Sequence, residues 1–424
     1  SGDVTCSICK EGFYLRDATA DGLFRNPTDY CKPCPTHASC SPGTTLASLG
    51  VDAGYWRASN SSTVLYECGR FGGGDEARKT RCAGGPEAGG NGDGYCATSF
   101  TGPECQLCNA SNHYLVGGDA CKECPTFGAA MGKLVGLALG VCVACGLAAW
   151  AYSVQRQSWR EKPCVGPSLR LADRAAVYYV GIGATAKIKI LIGFLQMAFV
   201  LISTYSARLP ELLARRVGIN EALAFDAWCE AFLRPQCFSY STRLLVFAFT
   251  PIVLIASFLL VGIGVRVRRW LVATASRPTC AEAVDTVMRG MFDLTPAGLV
   301  LVFCFVPSIS AAIFRTWSCQ AYDDPEQDDN MILYMRRDLS IECGSDDHKS
   351  TEHLAYFLIA IWPLGSLLLY GSLLIPCYKP LQAKTPTALT RATAFLHREY
   401  ELTFYWWEAL ELARKLTLTG AVLL

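Results

Sequence analysis

The sequence predicts a small disulfide-rich extracellular head, with short β-strands and little other regular structure, followed by an α-helical transmembrane bundle. Three observations carry this reading. Twelve of the 22 cysteines lie in residues 1–125, among glycine, proline and polar residues. From Phe127 onward Leu, Ala, Val, Ile and Phe gather into apolar runs, most of them near the roughly 20 residues that a helix needs to cross the hydrocarbon layer. Basic loops alternate with acidic or neutral ones between those runs, as expected of loops on opposite sides of a membrane.

A 424-residue chain with a formal net charge of +1 and 51% hydrophobic residues suits neither a soluble enzyme nor a secreted mini-protein. The near-zero charge leaves no electrostatic footprint for nucleic acid. The chain opens at Ser1 and closes at Leu424 inside an apolar run, so it reads as a piece of a longer protein.

The head, residues 1–125, carries Cys6, Cys9, Cys31, Cys34, Cys40, Cys68, Cys82, Cys96, Cys105, Cys108, Cys121 and Cys124. Its few aliphatic residues cannot build a sufficient core, so covalent staples are expected. An internal repeat is present. Cys6-x-x-Cys9, Tyr14-Leu15 and Cys31-x-x-Cys34-Pro35 form one copy, and Cys105-x-x-Cys108, Tyr114-Leu115 and Cys121-x-x-Cys124-Pro125 form the other. Such pairs also hold structural zinc. Disulfides are favoured here because the segment adjoins the first apolar run on the side without basic residues. Connectivity within the head stays open. Asn60-Ser-Ser and Asn109-Ala-Ser are glycosylation candidates. Cys96 to Cys105 reads like the closing loop of an EGF-like module. Gly54-Tyr-Trp-Arg57 reads as a local aromatic core in preference to a contact surface.

The membrane domain, 126–424, offers spans at 127–151, 187–206, 243–265, 292–313 and 353–376, with a sixth at 412–424 cut short by the chain end. Arg156 to Arg174, Arg266 to Arg277 and Lys379 to Arg398 mark the loops at 152–186, 266–290 and 377–411 as cytoplasmic. The loop after the fourth span, with Asp323 to Asp329, Asp338, Glu342, Asp346 and Asp347, belongs outside and reads as a solvated acidic loop. The loop after the second span is placed outside by parity, although Arg208, Arg215 and Arg216 break the trend. Cys229, Cys237, Cys319 and Cys343 then all fall on the oxidising side. Since each pair shares one loop, Cys229 is expected to bond Cys237 and Cys319 to bond Cys343. The alternative links Cys237 to the later loop. The expected location is the plasma membrane, multi-pass, with the head extracellular.

Few ionisable residues sit in the spans. Lys187 and Lys189, at the start of the second, are expected to snorkel to headgroups. Gln196 is expected to bond a neighbouring helix. Pro307 and Pro363 are expected to kink their helices. Between the fifth and sixth spans stand Trp406, Trp407, Glu408, Glu411, Arg414 and Lys415. Glu411 and Lys415 share a helix face by spacing, and the tryptophans suit the interface. The reading is an interfacial helix over 393–411, continuous with the sixth span, that links it to the earlier helices. The five histidines are scattered, and no catalytic constellation, metal set or cofactor motif emerges. No enzyme is expected.

Lys187-Ile-Lys-Ile-Leu-Ile-Gly-Phe-Leu-Gln196, Val306-Pro-Ser-Ile-Ser310, Cys319 with Asp338-Leu-Ser-Ile-Glu-Cys343, Trp362-Pro-Leu-Gly365 and Trp406-Trp407-Glu408 through Lys415 carry a resemblance. Together they resemble large protist and algal surface proteins that join EGF-like or ephrin-receptor-like cysteine repeats to a TRP-like multi-span region. The resemblance covers nearly the whole chain. It implies a cation-channel subunit or surface sensor, with the pore half beyond Leu424. Span 353–376 has no arginine ladder, so voltage sensing of the usual kind is not expected. The alternative is a seven-span receptor or adhesion protein. Expected partners are the lipid bilayer, an extracellular ligand or matrix at the head, and further copies of the chain, with no nucleic acid.

Overall fold

The computed structural model describes residues 8–16, 30–68, 75–87, 89–116, 120–133, 135–136, 140, 184–205, 232–273, 280–325 and 331–420. The chain divides into two units. The first combines Ser1–Pro125 with Leu233–Tyr240 and Thr316–Glu352, and the second holds Thr126–Phe232, Ser241–Arg315 and His353–Leu424.

In the first unit the repeat seen in sequence is a repeat of structure. Strands β1 (Phe13–Leu15) and β2 (Cys31–Pro33) pair antiparallel with Tyr14 opposite Lys32 and Leu15 opposite Cys31. Five two-residue strands follow: β3 (Ala38–Ser39), β4 (Gly50–Val51), β5 (Tyr55–Trp56), β6 (Tyr66–Glu67) and β7 (Phe100–Thr101). Helix α1 (Asp75–Arg81) lies between β6 and β7, and β8 is Leu107–Cys108. Strands β9 (His113–Val116) and β10 (Ala120–Glu123) then repeat the first hairpin, with Tyr114 opposite Lys122 and Leu115 opposite Cys121.

The disulfides repeat as well. Cys9 bonds Cys31, and the equivalent Cys108 bonds Cys121. Cys34–Cys40, Cys68–Cys82 and Cys96–Cys105 complete the local staples. Cys124, the equivalent of Cys34, has alanine at residue 130 where the first copy has Cys40. It bonds Cys237, which corrects the expected Cys229–Cys237 pair. The 233–240 segment is held on the second hairpin by further contacts. Leu115 N–H donates to Gln236 Oε1 at 3.3 Å, and the Arg234 guanidinium lies 5.4 Å from the Tyr114 ring centre. Cys6 and Cys229 lie outside the described residues.

The stretch expected as a solvated acidic loop is instead an antiparallel meander, a second correction. Its strands are β11 (Cys319–Asp323), β12 (Met331–Met335) and β13 (Asp338–Glu342), and Cys319 bonds Cys343. Tyr322 and Ile332 join Trp56, Tyr95 and Phe100 in one core, with Tyr66 and Tyr334 packed on it. Tyr322 meets Trp56 edge-on at 5.3 Å and Tyr66 at 5.0 Å. Part of the charge is absorbed: Asp324 and Asp338 are buried, whereas Glu342, Asp346 and Asp347 stay exposed as expected, and 326–330 lies outside the described residues. Asp323 accepts Ser62 Oγ at 2.7 Å, and buried Glu104 accepts the Tyr322 hydroxyl at 3.0 Å. Gly54-Tyr-Trp-Arg57 forms part of this interior. Arg57 is fully buried and donates to Tyr95 Oη and to the carbonyls of Leu46, Ala47, Asn60 and Ser62. Burial pushes the Tyr95 phenol up, opposed by the Arg57 cation.

In the second unit residues 127–133 are helical at the start of the first expected span. Helix α2 (Ala184–Tyr205) covers the second. Helices α3 (Tyr240–Ala273) and α4 (Cys280–Phe314) follow, and then α5 (Asp346–Ile359), a π-helical turn at Ala360–Leu364 and α6 (Gly365–Leu374). Among the described residues, three stretches are long and apolar enough to cross a membrane: Tyr240–Arg268, Ala281–Trp317 and Asp346–Gln382. Val253, Leu260 and Leu368 on them are 60–73% exposed, as side chains that face lipid are.

The prolines are accommodated inside the helices. Thr250 and Thr295, each just ahead of a proline, donate to the carbonyls of Val246 and Met291 four residues back. Pro363 sits in the π-turn. Helices α3 and α4 approach closely at glycines. A Cβ on Gly262 would lie 2.9 Å from the Gly290 carbonyl oxygen, so bulk there would push the backbones apart.

Short helices α7 (Tyr378–Gln382), α8 (Ala388–Ala392) and α9 (Ala394–His397) precede α10 (Trp407–Leu418). The expected continuous helix over 393–411 is therefore corrected: the chain turns at 398–406, with a 3-10 turn at Leu402–Phe404.

The Cys124–Cys237 bond gives a direct test. Peptide mapping of unreduced protein should recover a fragment that joins residue 124 to residue 237. Cys124→Ser with Cys237→Ser should cost the head about 2–4 kcal/mol, seen as a lower unfolding midpoint without reductant.

Candidate functional site

The interior of the helical unit holds a charge cluster. Lys189 on α2 is placed one turn before Gly193 and two before Gln196, all within an apolar helix. Its ammonium lies 2.5 Å from Glu408 Oε2 on α10, with both side chains at most 9% exposed. Lys189 Nζ also donates to the Phe395 carbonyl at 2.9 Å and sits 4.3 Å from the Phe395 ring centre. Tyr400 Oη donates to the same Glu408 oxygen at 2.8 Å. Lys415, two turns beyond Glu408, is 3% exposed, and its ammonium lies 4.1 Å from the Phe303 ring centre. Gly193 makes room for it, since a Cβ there would meet Lys415 Nζ at 2.9 Å.

This geometry explains the broken linker. Residues eight apart on a straight helix stand about 12 Å apart. Tyr400 and Glu408 can bond only because the chain reverses between them. Burial, then the Glu408 charge, pushes the Tyr400 phenol up, which keeps it a donor.

Neighbouring polar groups line the same unit. Gln196 Nε2 donates to the Cys304 carbonyl at 2.9 Å, a bond between helices, while its Oε1 is buried without a hydrogen-bond partner. Tyr370, on α6 against α10, is 1% exposed, and its hydroxyl also has none. His397 Nε2 contacts the Thr390 carbonyl at 3.1 Å, and Thr393 Oγ1 lies 3.3 Å from Cys377 Sγ. Burial pulls the His397 imidazole down, so it is neutral at pH 7.

The expected site residues separate here. Glu408 and Lys415 enter the cluster, while Trp406 and Trp407 stay outward, each more than 40% exposed. Glu411 pairs with Arg414, at 2.6 Å, and not with Lys415. Lys187 is exposed, whereas Lys189 is buried against Glu408, which corrects the snorkelling expected for it. The reason is the partner, since a carboxylate on a distant segment compensates the burial of an ammonium. Sequence reasoning missed Phe303, Phe395, Tyr400 and Gly193 as parts of the site. A lysine inside an apolar helix and a carboxylate in a later amphipathic one were the available signal.

Among the head cysteines, Cys68, Cys82 and Cys105 stand close enough to share a metal, as do Cys319, Cys343 and His348. All these sulfurs are in disulfides, which leaves no thiolate for zinc. Asn60 and Asn109 are both exposed. Comparison with protein-family models, curated proteins and solved structures gives no match.

Two measurements check the cluster. Glu408→Met or Lys189→Met alone should cost about 3–5 kcal/mol, and the two together should recover much of it, in a double-mutant cycle of thermal unfolding. His397 titrates lower folded than unfolded, so its contribution is present above its ordinary value of about 6.5 and lost as pH falls through the folded value. His397→Gln should flatten that acid limb of the stability profile.

Proposed function

We propose that this chain is a multi-pass plasma-membrane sensor that works as a cation-channel subunit. Its disulfide-bonded head faces the exterior and meets a ligand or matrix. The observation that carries the reading is the Lys189–Glu408 pair, which fastens α2 to α10 across more than 200 residues of sequence. Ionisable groups in apolar helices mark functional elements by default. The sharp turn at 398–406 leaves α10 a separate lever, held to α2 by charge and hydrogen bonds instead of by a continuous helix. A chain segment continuing from α10 would feel any shift of that latch. Breaking the latch exchanges one buried arrangement for another, which suits a two-state element.

The receptor reading drew on a disulfide from Cys237 to the later outer loop. Cys237 bonds Cys124 and Cys319 bonds Cys343, so that support is gone. The channel reading keeps the exposed Trp406 and Trp407 as interfacial anchors for the lever.

Full-length protein reconstituted in bilayers should pass cation current, and Trp407→Ala should shift its gating more than its surface expression. No current under varied stimuli would return the reading to an adhesion protein or receptor.

A further inference from the structure

A second polar feature of the helical unit lies apart from the latch. A cavity of about 730 Å³ opens between α3, α4 and α8, and it is lined by Arg266, Asp285, Arg289, Asp293 and Arg391. Arg266 pairs with Asp293 at 3.1 Å, and Arg289 with Asp285 at 2.7 Å. Arg391 supplies the third guanidinium. Its Nε donates to the Thr387 carbonyl at 3.4 Å, and it makes no ion pair among the described residues. Three guanidiniums against two carboxylates leave one net positive charge facing the cavity.

The remaining wall is apolar, from Met288, Phe292 and Pro296. Val284, Met288 and Met291 on α4 and Leu271 on α3 are exposed large apolar side chains around the same helix ends. Arg266 stands two residues before the end of the stretch Tyr240–Arg268 that is apolar enough to cross a membrane. The cavity therefore lies where a helix leaves hydrocarbon, with a charged centre and a greasy margin. A solvent-facing anion site has no use for that margin, whereas an amphipathic ligand matches both parts.

The geometry points to a site for the phosphodiester headgroup of an anionic glycerophospholipid, held chiefly by Arg391. One net positive charge complements one phosphodiester charge. The planar guanidinium can donate two parallel bonds to phosphate oxygens. The two ion pairs, both exposed, limit the charge, so a multiply phosphorylated headgroup is not favoured. This goes beyond the sensor reading and stands without it, needing only that the helices meet lipid.

The test uses the full chain in detergent, titrated with short-chain phosphatidylglycerol, short-chain phosphatidylcholine or inorganic phosphate and read by native mass spectrometry. Phosphatidylglycerol should bind more tightly than phosphatidylcholine. Arg391→Gln should weaken it about fivefold, the worth of one basic side chain near an anionic surface. Arg391→Lys should keep most of the affinity. Lys384→Gln, an exposed charge in the same segment but outside the cavity, should leave it unchanged. Asp285→Asn should tighten binding, a gain that misfolding cannot imitate. Equal losses in Arg391→Gln and Lys384→Gln would overturn the site. Displacement of the lipid by inorganic phosphate at equal concentration would overturn the lipid as its occupant.

Discussion

The buried ion pair between Lys189 and Glu408 is the constraint that shapes the helical unit. An ammonium and a carboxylate taken out of water each cost several kcal/mol, and their attraction repays this only when the other lone pairs and protons are also met. The surroundings meet that condition. The Phe395 carbonyl accepts from the ammonium, and the Tyr400 hydroxyl donates to the carboxylate. The faces of Phe303 and Phe395 give the ammoniums of Lys415 and Lys189 a negative π surface. A straight linker helix would forbid the Tyr400–Glu408 bond, so the break at 398–406 follows from the electrostatics. Gly193 belongs to the same account, because any side chain there would occupy the place of Lys415 Nζ.

The head solves the opposite problem. It has cysteines and aromatics where an ordinary domain has aliphatics, and two of its buried charges, Arg57 and Glu104, find neutral partners. Arg57 is satisfied by four carbonyls and a phenol, Glu104 by Tyr322, Gln320 and Gln106. A cation met by dipoles is held in one orientation by several bonds at once, which suits a small unit short of core. The meander supplies Tyr322 and Ile332 to that core from about 250 residues away in sequence.

Much of this was legible in the sequence for a plain reason. Cysteine crowding, repeat spacing and apolar runs are local signals, and they announced the repeat, a disulfide-bonded head and the long apolar helices, though not which head cysteines pair. The Cys319–Cys343 bond closes within one loop. What escaped was set by contacts distant in sequence. Nothing near Cys124 shows that its partner stands 113 residues on. The acidic loop reads as solvated because its charges are visible, whereas the Tyr66 hydroxyl that binds the Asp323 amide is not. Lys189 reads as an interfacial lysine until Glu408 is brought to it. Amphipathic spacing over 393–411 supported a helix, but spacing carries no information about a hydrogen bond that requires the chain to reverse.

The distances between paired cysteines also order assembly. Five head bonds close loops of 6–22 residues, each within one short stretch of chain. Loop closure at that length is entropically light. Cys124 has no such neighbour, and its partner follows the whole first pair of expected spans. The meander that fills the aromatic core follows two helices later still, at Cys319–Glu342. The aromatic core therefore draws Tyr322, which packs on Trp56 and Tyr66, from chain that follows α3 and α4. The first unit takes in Tyr240, where α3 begins, and Asp346–Glu352, the first half of α5.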